Sequence, residues 1–302
     1  MRFTRALALG ASALVLVSAC STGGGSKPTV KVGSDGFYEA KLMAEIYAQA
    51  LEAGGYTVDR TGIGIGARKV SAPALESGQI ALKPEYIGSG LAFYEPGKQT
   101  GDPAANAAAL QAVLTTKGGG ITVLDYSPAA DQNAFVVRKD TATQFNLAKL
   151  SDTTAVQNQL KWGLATDCKT NPVCAAALKA AYGLDPTNVT PLAACDTPMA
   201  QALLNKTIDV AELCSTQPDI AVNGFVVLTD DKQTQPADNL APLVRNDLLA
   251  KVDKPAFEKI LNDVSAKMDT ATLTDLGKQI TVDKKDIAAV AKAWLQSAGL
   301  VK

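Results

Sequence analysis

Five cysteines and no histidine bound the chemistry open to this 302-residue chain. Without an imidazole there is no Ser-His-Asp or Cys-His nucleophile, no HExxH zinc site and no histidine-based metal cluster. An enzyme built on this chain would need a Ser-Lys pair, a free thiol or paired carboxylates. No GxSxG segment marks a nucleophile. The run Gly62–Gly66 (GIGIG) lacks the GxGxxG spacing, and no P-loop lysine follows it, so it reads as a strand-to-helix turn. Gly118–Gly120 reads as a loop entering a strand. Neither a cofactor nor a metal is expected, and the chain reads as a non-enzyme.

The N-terminus is an address. Arg2 and Arg5 precede an apolar run from Ala6 to Val17, and Val17-Ser18-Ala19-Cys20 follows. The run is too short to span a membrane and ends in a processing-type sequence, which makes residues 1–20 a secretory signal. The segment resembles the lipobox of bacterial lipoproteins, which implies lipid on Cys20; an ordinary signal with a chance cysteine is the alternative. Residues 21–27 (STGGGSK) read as a flexible tether. The expected location is extracytoplasmic, lipid-anchored to the membrane. In an exported chain the even set Cys168, Cys174, Cys195 and Cys214 suggests two disulfides, with three possible connectivities. Cys168–Cys174 with Cys195–Cys214 is favoured because each closes a short loop, and the spacing fits no CxxC redox or zinc motif.

The elements that would position a site follow an α/β rhythm. A strand at Val30–Gly33 leads to a helix with apolar positions Leu42, Met43, Ile46, Tyr47, Ala50 and Leu51, closed by Gly54-Gly55. Strands follow at Tyr56–Arg60 and at Ile80–Lys83, the latter stopped by Pro84, with a helix interrupted near Pro73 between them. Further strands are expected at Ile121–Leu124, Asn133–Arg138, Trp162–Ala165 and Phe225–Leu228. Helices are expected over Ala175–Tyr182 and on the stripes Ile260, Leu261, Val264, Met268 and Ile287, Val290, Ala291, Trp294, Leu295. Strand–helix–strand units imply parallel neighbours. The net charge of −1, from 29 basic and 30 acidic residues, argues against a nucleic-acid partner.

One internal echo is informative. Ala74–Leu82 before Lys83-Pro84-Glu85-Tyr86 and Ala202–Val210 before Ala211-Glu212-Leu213-Cys214 each read as helix end, polar turn and short strand. Tyr86 then stands opposite Cys214, past the carboxyl ends of two equivalent strands, where open α/β sheets bind ligands.

Gly33-Ser34-Asp35-Gly36-Phe37-Tyr38-Glu39 and Ile80–Ser89 resemble segments of the glycine betaine/choline/carnitine (osmoprotectant) substrate-binding proteins of ABC importers. Asp131-Gln132-Asn133, Cys214-Ser215-Thr216, Leu228–Lys232 and Pro242–Arg245 continue the resemblance in order. It implies a two-lobed periplasmic-binding-protein fold, type II-like, with a ligand cleft between lobes. Residues 28–130 and 226–302 would form the first lobe and 131–225 the second. It also implies capture of a small solute by a monomer and delivery to an ABC permease with a cytoplasmic ATPase. Relatives hold quaternary ammonium compounds in an aromatic box; its four tyrosine positions fall here on Tyr86, Asn133, Cys214 and Asp238, of which one is aromatic.

The candidate ligand contacts are Phe37, Tyr38, Tyr86, Ser89, Gln132, Asn133, Ser215, Thr216 and Asp238. Core packing accounts for Phe37 or Tyr38 about as well as ligand contact does. Hinge capping is an equal reading of Gln132 and Asn133, and helix capping competes at Ser215 and Thr216. An exported enzyme on this fold, or a sensing or adhesion lipoprotein without a transporter, are the competing functions.

Overall fold

The computed structural model describes residues 27–302; residues 1–26, with the expected signal segment, Cys20 and most of the expected tether, lie outside the described residues. Two five-stranded sheets organise the chain. The first contains β1 (Val30–Asp35), β2 (Val58–Gly66), β3 (Leu82–Tyr86) and β4 (Ile121–Val123). The second contains β5 (Asn133–Val137), β6 (Trp162–Ala165), β7 (Val189–Leu192), β8 (Val210–Cys214) and β9 (Val226–Val227). β10 (Leu240–Arg245) then returns to the first sheet.

The orders are β2-β1-β3-β10-β4 and β7-β6-β8-β5-β9. In each sheet the first three strands are parallel, and the strand arriving from the other lobe inserts antiparallel beside the third. The sequence echo therefore marks equivalent strands: β3 ends on Tyr86 and β8 on Cys214. This is the two-lobed α/β architecture expected.

Helices cover both faces of each sheet, which is what βαβ crossovers require. In the first lobe the helix Tyr38–Ala53 packs with Lys254–Lys267, Thr270–Thr281 and Ile287–Ser297 on one face. Leu42, Met43, Ile46, Phe257, Leu261, Leu273 and Leu295 form that fully buried core. Leu75, Ile87, Leu91 and Leu110 fill the opposite face. In the second lobe β5 alternates cleanly: Phe135 and Val137 join the cluster around Trp162, while Ala134 and Val136 join that of Met199 and Leu203. The three C-terminal helices start on aspartate caps, Asp253, Asp269 and Asp286, each accepting a backbone N–H. No helix among the described residues is long and apolar enough to cross a membrane.

Three local expectations are corrected. The GIGIG run is strand, not turn: β2 continues to Gly66 and pairs with β1 through two register shifts, Gly33↔Gly62 and Asp35↔Gly66. A Cβ on Gly62 would meet the Ile80 side chain at 2.3 Å and the Val32 carbonyl oxygen at 3.0 Å, so glycine permits the close approach. β3 runs through Pro84, which sits directly opposite Pro242, so both missing N–H groups fall on one rung. The helix Arg68–Ser77 carries Pro73 without interruption. At the lobe boundary, Val226–Val227 were grouped from sequence with the first lobe. They pair instead with Val136–Val137, and Leu228 is buried in the second lobe's core.

Two chain segments cross between the lobes side by side. Asp131 N–H donates to the Asp238 carbonyl at 3.0 Å, Ala130 bridges Asn239, and the Gln132 amide donates to the Pro236 carbonyl. A pair of short antiparallel segments is a natural hinge.

Candidate functional site: the cleft between the lobes

A cavity of about 280 Å³ lies between the two sheets at their carboxyl ends. The first lobe contributes Asp35, Gly36, Phe37, Ala67, Arg68, Tyr86, Ser89 and Asp238. The crossing segments add Asp131 and Gln132. The second lobe supplies Asn133, Ala165–Asp167, Asn171, Val173, Ala193–Asp196, Glu212 and Cys214. All four positions that the resemblance equates with an aromatic box line this cavity. Only Tyr86 carries a ring there, with Phe37 packed 5.9 Å from it, centroid to centroid.

Six of the nine candidates surround the cavity: Phe37, Tyr86, Ser89, Gln132, Asn133 and Asp238. The other three are turned elsewhere. Tyr38 is buried beside Gly277 and Pro218, away from the cavity that Phe37 faces, because successive residues of a helix point about 100° apart. Ser215 donates to Asp131 Oδ1 at 3.0 Å, and Thr216, fully buried, donates to Glu39 Oε2 at 2.6 Å. That second bond joins the lobes, so Ser215 and Thr216 tie the hinge together.

The first lobe's wall rests on a buried ionic cluster. Lys83 Nζ lies 3.0 Å from Asp35 Oδ1, 2.8 Å from Ser71 Oγ and 3.0 Å from Glu85 Oε2. Arg68 reaches Glu85 Oε1 through Nε and Nη2 at 3.0 and 2.9 Å. Burial alone would raise the Glu85 carboxyl, but the two cations overcome it and hold the group at about 2. The opposite balance holds at Glu39. Burial, reinforced by nearby Asp131, pushes its carboxyl well above the usual range, despite hydrogen bonds from Thr216 and Tyr86.

A pseudo-symmetric pair of aspartates stands where the crossing segments meet the cleft. Asp238 lies two residues before the partner of Tyr86, and Asp131 two residues before the partner of Cys214. Asp238 accepts from the Gly88 and Ser89 backbone N–H groups, each at 2.9 Å, and from the Ser89 hydroxyl. Asp131 accepts from Thr216 N–H and Ser215 Oγ, each at 3.0 Å. A Cβ on Gly88 would meet the Ala237 carbonyl oxygen at 2.6 Å, so this turn needs glycine to let the crossing segment pass.

Burial pushes the Asp238 carboxyl up to about 7, with Glu85 adding to the rise while Ser89 and Arg68 oppose it. The fold therefore binds this proton more tightly than the unfolded chain does. Its contribution to stability is complete below about pH 4 and is lost as pH rises through about 7. Denaturant midpoints of the ligand-free protein are expected to fall between pH 5 and pH 8, and Asp238→Asn to flatten that fall. An unchanged slope in the variant would refute the assignment.

Both disulfides have the favoured pairing, Cys168–Cys174 and Cys195–Cys214. Two acid–sulfur groupings, Asp131 with Cys195 and Cys214, and Glu212 with Cys168 and Cys174, lie within ligating distance. Each uses both sulfurs of a disulfide, which has no thiolate to offer a metal. Sequence reasoning missed Arg68, Asp35, Asp167, Asp196 and Glu212 as lining groups. The signal available was positional: each lies at or near a strand's carboxyl end.

Comparison with known proteins agrees with this geometry. The chain is 29% identical over 309 residues to the glycine betaine-binding protein YehZ of Escherichia coli, covering 98% of this chain and 99% of that one. It is 25% identical to the carnitine transport binding protein OpuCC of Listeria monocytogenes, covering 93% and 92% of the two chains. A crystal structure of a glycine betaine/carnitine/choline ABC transporter protein superposes with a TM-score of 0.70 at 24% identity, covering 90% of this chain and 99% of that one. Apo YehZ from Escherichia coli superposes with a TM-score of 0.64 at 26% identity, over the same shares. The family model for the substrate binding domain of the ABC-type glycine betaine transport system matches residues 28–297. The chain belongs to that family of substrate-binding domains.

Proposed function

We propose that this protein captures a small osmoprotectant-like solute outside the cytoplasm by closing its two lobes, and delivers it to the permease of an ABC importer. The observation that carries this reading is the cavity itself, small, lined by both charged and apolar side chains, and built from both lobes at the carboxyl ends of their sheets, over a two-segment hinge. Its similarity to a glycine betaine-binding protein and a carnitine transport binding protein supports it. Phe37, Tyr86, Ser89, Gln132, Asn133 and Asp238 contact the solute. The protein acts as a monomer and performs no bond chemistry; a lipid on Cys20 holds it at the membrane, with the Gly/Ser segment as tether.

Titration calorimetry of the purified protein with glycine betaine, choline, carnitine, proline and uncharged polyols tests the reading. At least one solute is expected to bind, with Tyr86→Ala weakening it roughly tenfold, since Tyr86 and Phe37 are the two aromatic rings among the lining residues of the cleft. Cys20→Ala is expected to move the protein from the membrane to the soluble fraction. Absence of binding across this panel and across small zwitterionic amino acids would overturn the solute-capture reading.

A further inference from the structure

Six carboxylates and one guanidinium line the cleft. Four of the acids are already engaged. Asp35 holds Lys83, Asp131 takes Thr216 and Ser215, Asp196 caps the helix Thr197–Leu204, and Asp238 caps the turn at Gly88 and Ser89. Glu212 and Asp167 remain. Glu212 is 1% exposed and sits mid-strand in β8; its Oε2 accepts the Ala165 N–H at 2.8 Å, while Oε1 has no partner among the described residues. No lysine or arginine among the described residues reaches it. The Asp167 side chain, half-buried beside it, is likewise without a partner among the described residues. An acid buried this deeply with a spare oxygen at a cavity wall is costly unless something arrives to use it.

Across the cleft, Arg68 commits Nε and Nη2 to Glu85, and its Nη1 has no partner among the described residues. The cleft thus offers spare acceptors on one lobe and a spare cationic donor on the other. Resting on the solute-capture reading, we infer that the cleft selects a small zwitterion whose cationic end carries N–H donors. That end sits on Glu212 with Asp167, and the anionic end at Arg68.

A trimethylated ammonium has no N–H to give and is best held by ring faces. Two of the three non-aromatic box positions are occupied here by an amide and a disulfide sulfur, Asn133 and Cys214. An N–H cation, by contrast, meets the unpartnered Glu212 oxygen in a charge-assisted bond. Burial, with Asp167 adding, pushes the Glu212 carboxyl up to about 7; an arriving cation favours its ionised form, the proton leaves to solvent, and an ion pair forms. Contacts to opposite lobes by the two ends of one solute couple recognition to closure.

The test is calorimetry with solutes that differ only in N-methylation. These are glycine, N-methylglycine, N,N-dimethylglycine and glycine betaine, with 4-aminobutyrate and its trimethyl counterpart for length. An N–H-bearing member is expected to bind about tenfold or more tighter than its trimethyl partner. Glu212→Gln, which keeps an oxygen for the Ala165 N–H, is expected to weaken the N–H member about tenfold or more and to shrink its advantage over the trimethyl member. Its unfolding midpoint, measured in parallel, checks that it folds. Tighter or equal binding of the trimethyl members, or an unchanged affinity in Glu212→Gln, overturns the inference. Binding confined to solutes outside this series also overturns it and leaves solute capture intact. Silence across this series and the wider panel overturns both.

Discussion

Lys83→Met is expected to cost about 3–5 kcal/mol of stability, because it removes one partner from a buried ionic cluster and strands the others. The Lys83 ammonium is fully buried and holds Asp35, Ser71 and Glu85. Methionine fills much of the same volume but leaves Asp35 without a cation and Glu85 with Arg68 alone. For a chain of this size the melting temperature should drop roughly 10 °C. One further readout separates stranded charge from lost packing. Neutralising the partners in Lys83→Met/Asp35→Asn/Glu85→Gln should restore part of the stability. A loss under about 1 kcal/mol in the single variant would mean that the cluster contributes little.

That cluster also explains why the site was only partly legible in the sequence. Lys83 and Glu85 flank Pro84 in a short strand, where a charged pair would normally read as surface. They are buried because β3 lies between β1 and β10, with helices on both faces. The short apolar runs of β1, β5 and β6 declared themselves, since buried strands and helix stripes are properties of consecutive residues. β7 did not: Val189–Leu192 is an edge strand with exposed side chains and a proline, and carries no apolar run. The β3/β8 echo placed Tyr86 and Cys214 at equivalent strand ends because a repeated topology leaves a repeated pattern of helix, turn and strand.

The spare acceptors are a different matter. Asp167 and Glu212 are separated by 44 intervening positions in the chain, and beyond their places near strand ends nothing in the sequence marks them as a pair. They meet because β6 and β8 are parallel neighbours whose carboxyl ends open on the same cleft. Phe37 and Tyr38 make the same point at closer range. From sequence both are candidate contacts, with core packing an equal reading of one; only the rotation of the helix start decides that Phe37 faces the cavity.

The second large effect is expected from opening the Cys195–Cys214 bridge. Its 19-residue separation closes a loop worth about 3 kcal/mol by the chain-entropy relation, against about 2 kcal/mol for Cys168–Cys174 at separation 6. Position adds a functional consequence. Cys214 ends β8 opposite Asn133, and Cys195 lies in the Ala193–Asp196 loop; both line the cleft. Cys195 also holds a left-handed backbone, φ 55°, which a non-glycine residue keeps only when its surroundings enforce it. Without the bridge the loop is free to leave that conformation, so the second lobe's wall loses its preset shape. Solute affinity should fall along with stability, because a preformed wall no longer spares the solute the cost of ordering it. Cys195→Ser/Cys214→Ser should therefore lose about 3 kcal/mol in urea unfolding and bind more weakly. Cys168→Ser/Cys174→Ser should lose less stability, but it disturbs the sulfur packed 3.3 Å from Glu212 and so moves affinity too. Unchanged affinity in the first double variant would show that the loop is held by its other contacts, with Asp196 at the head of the helix Thr197–Leu204 the first of them.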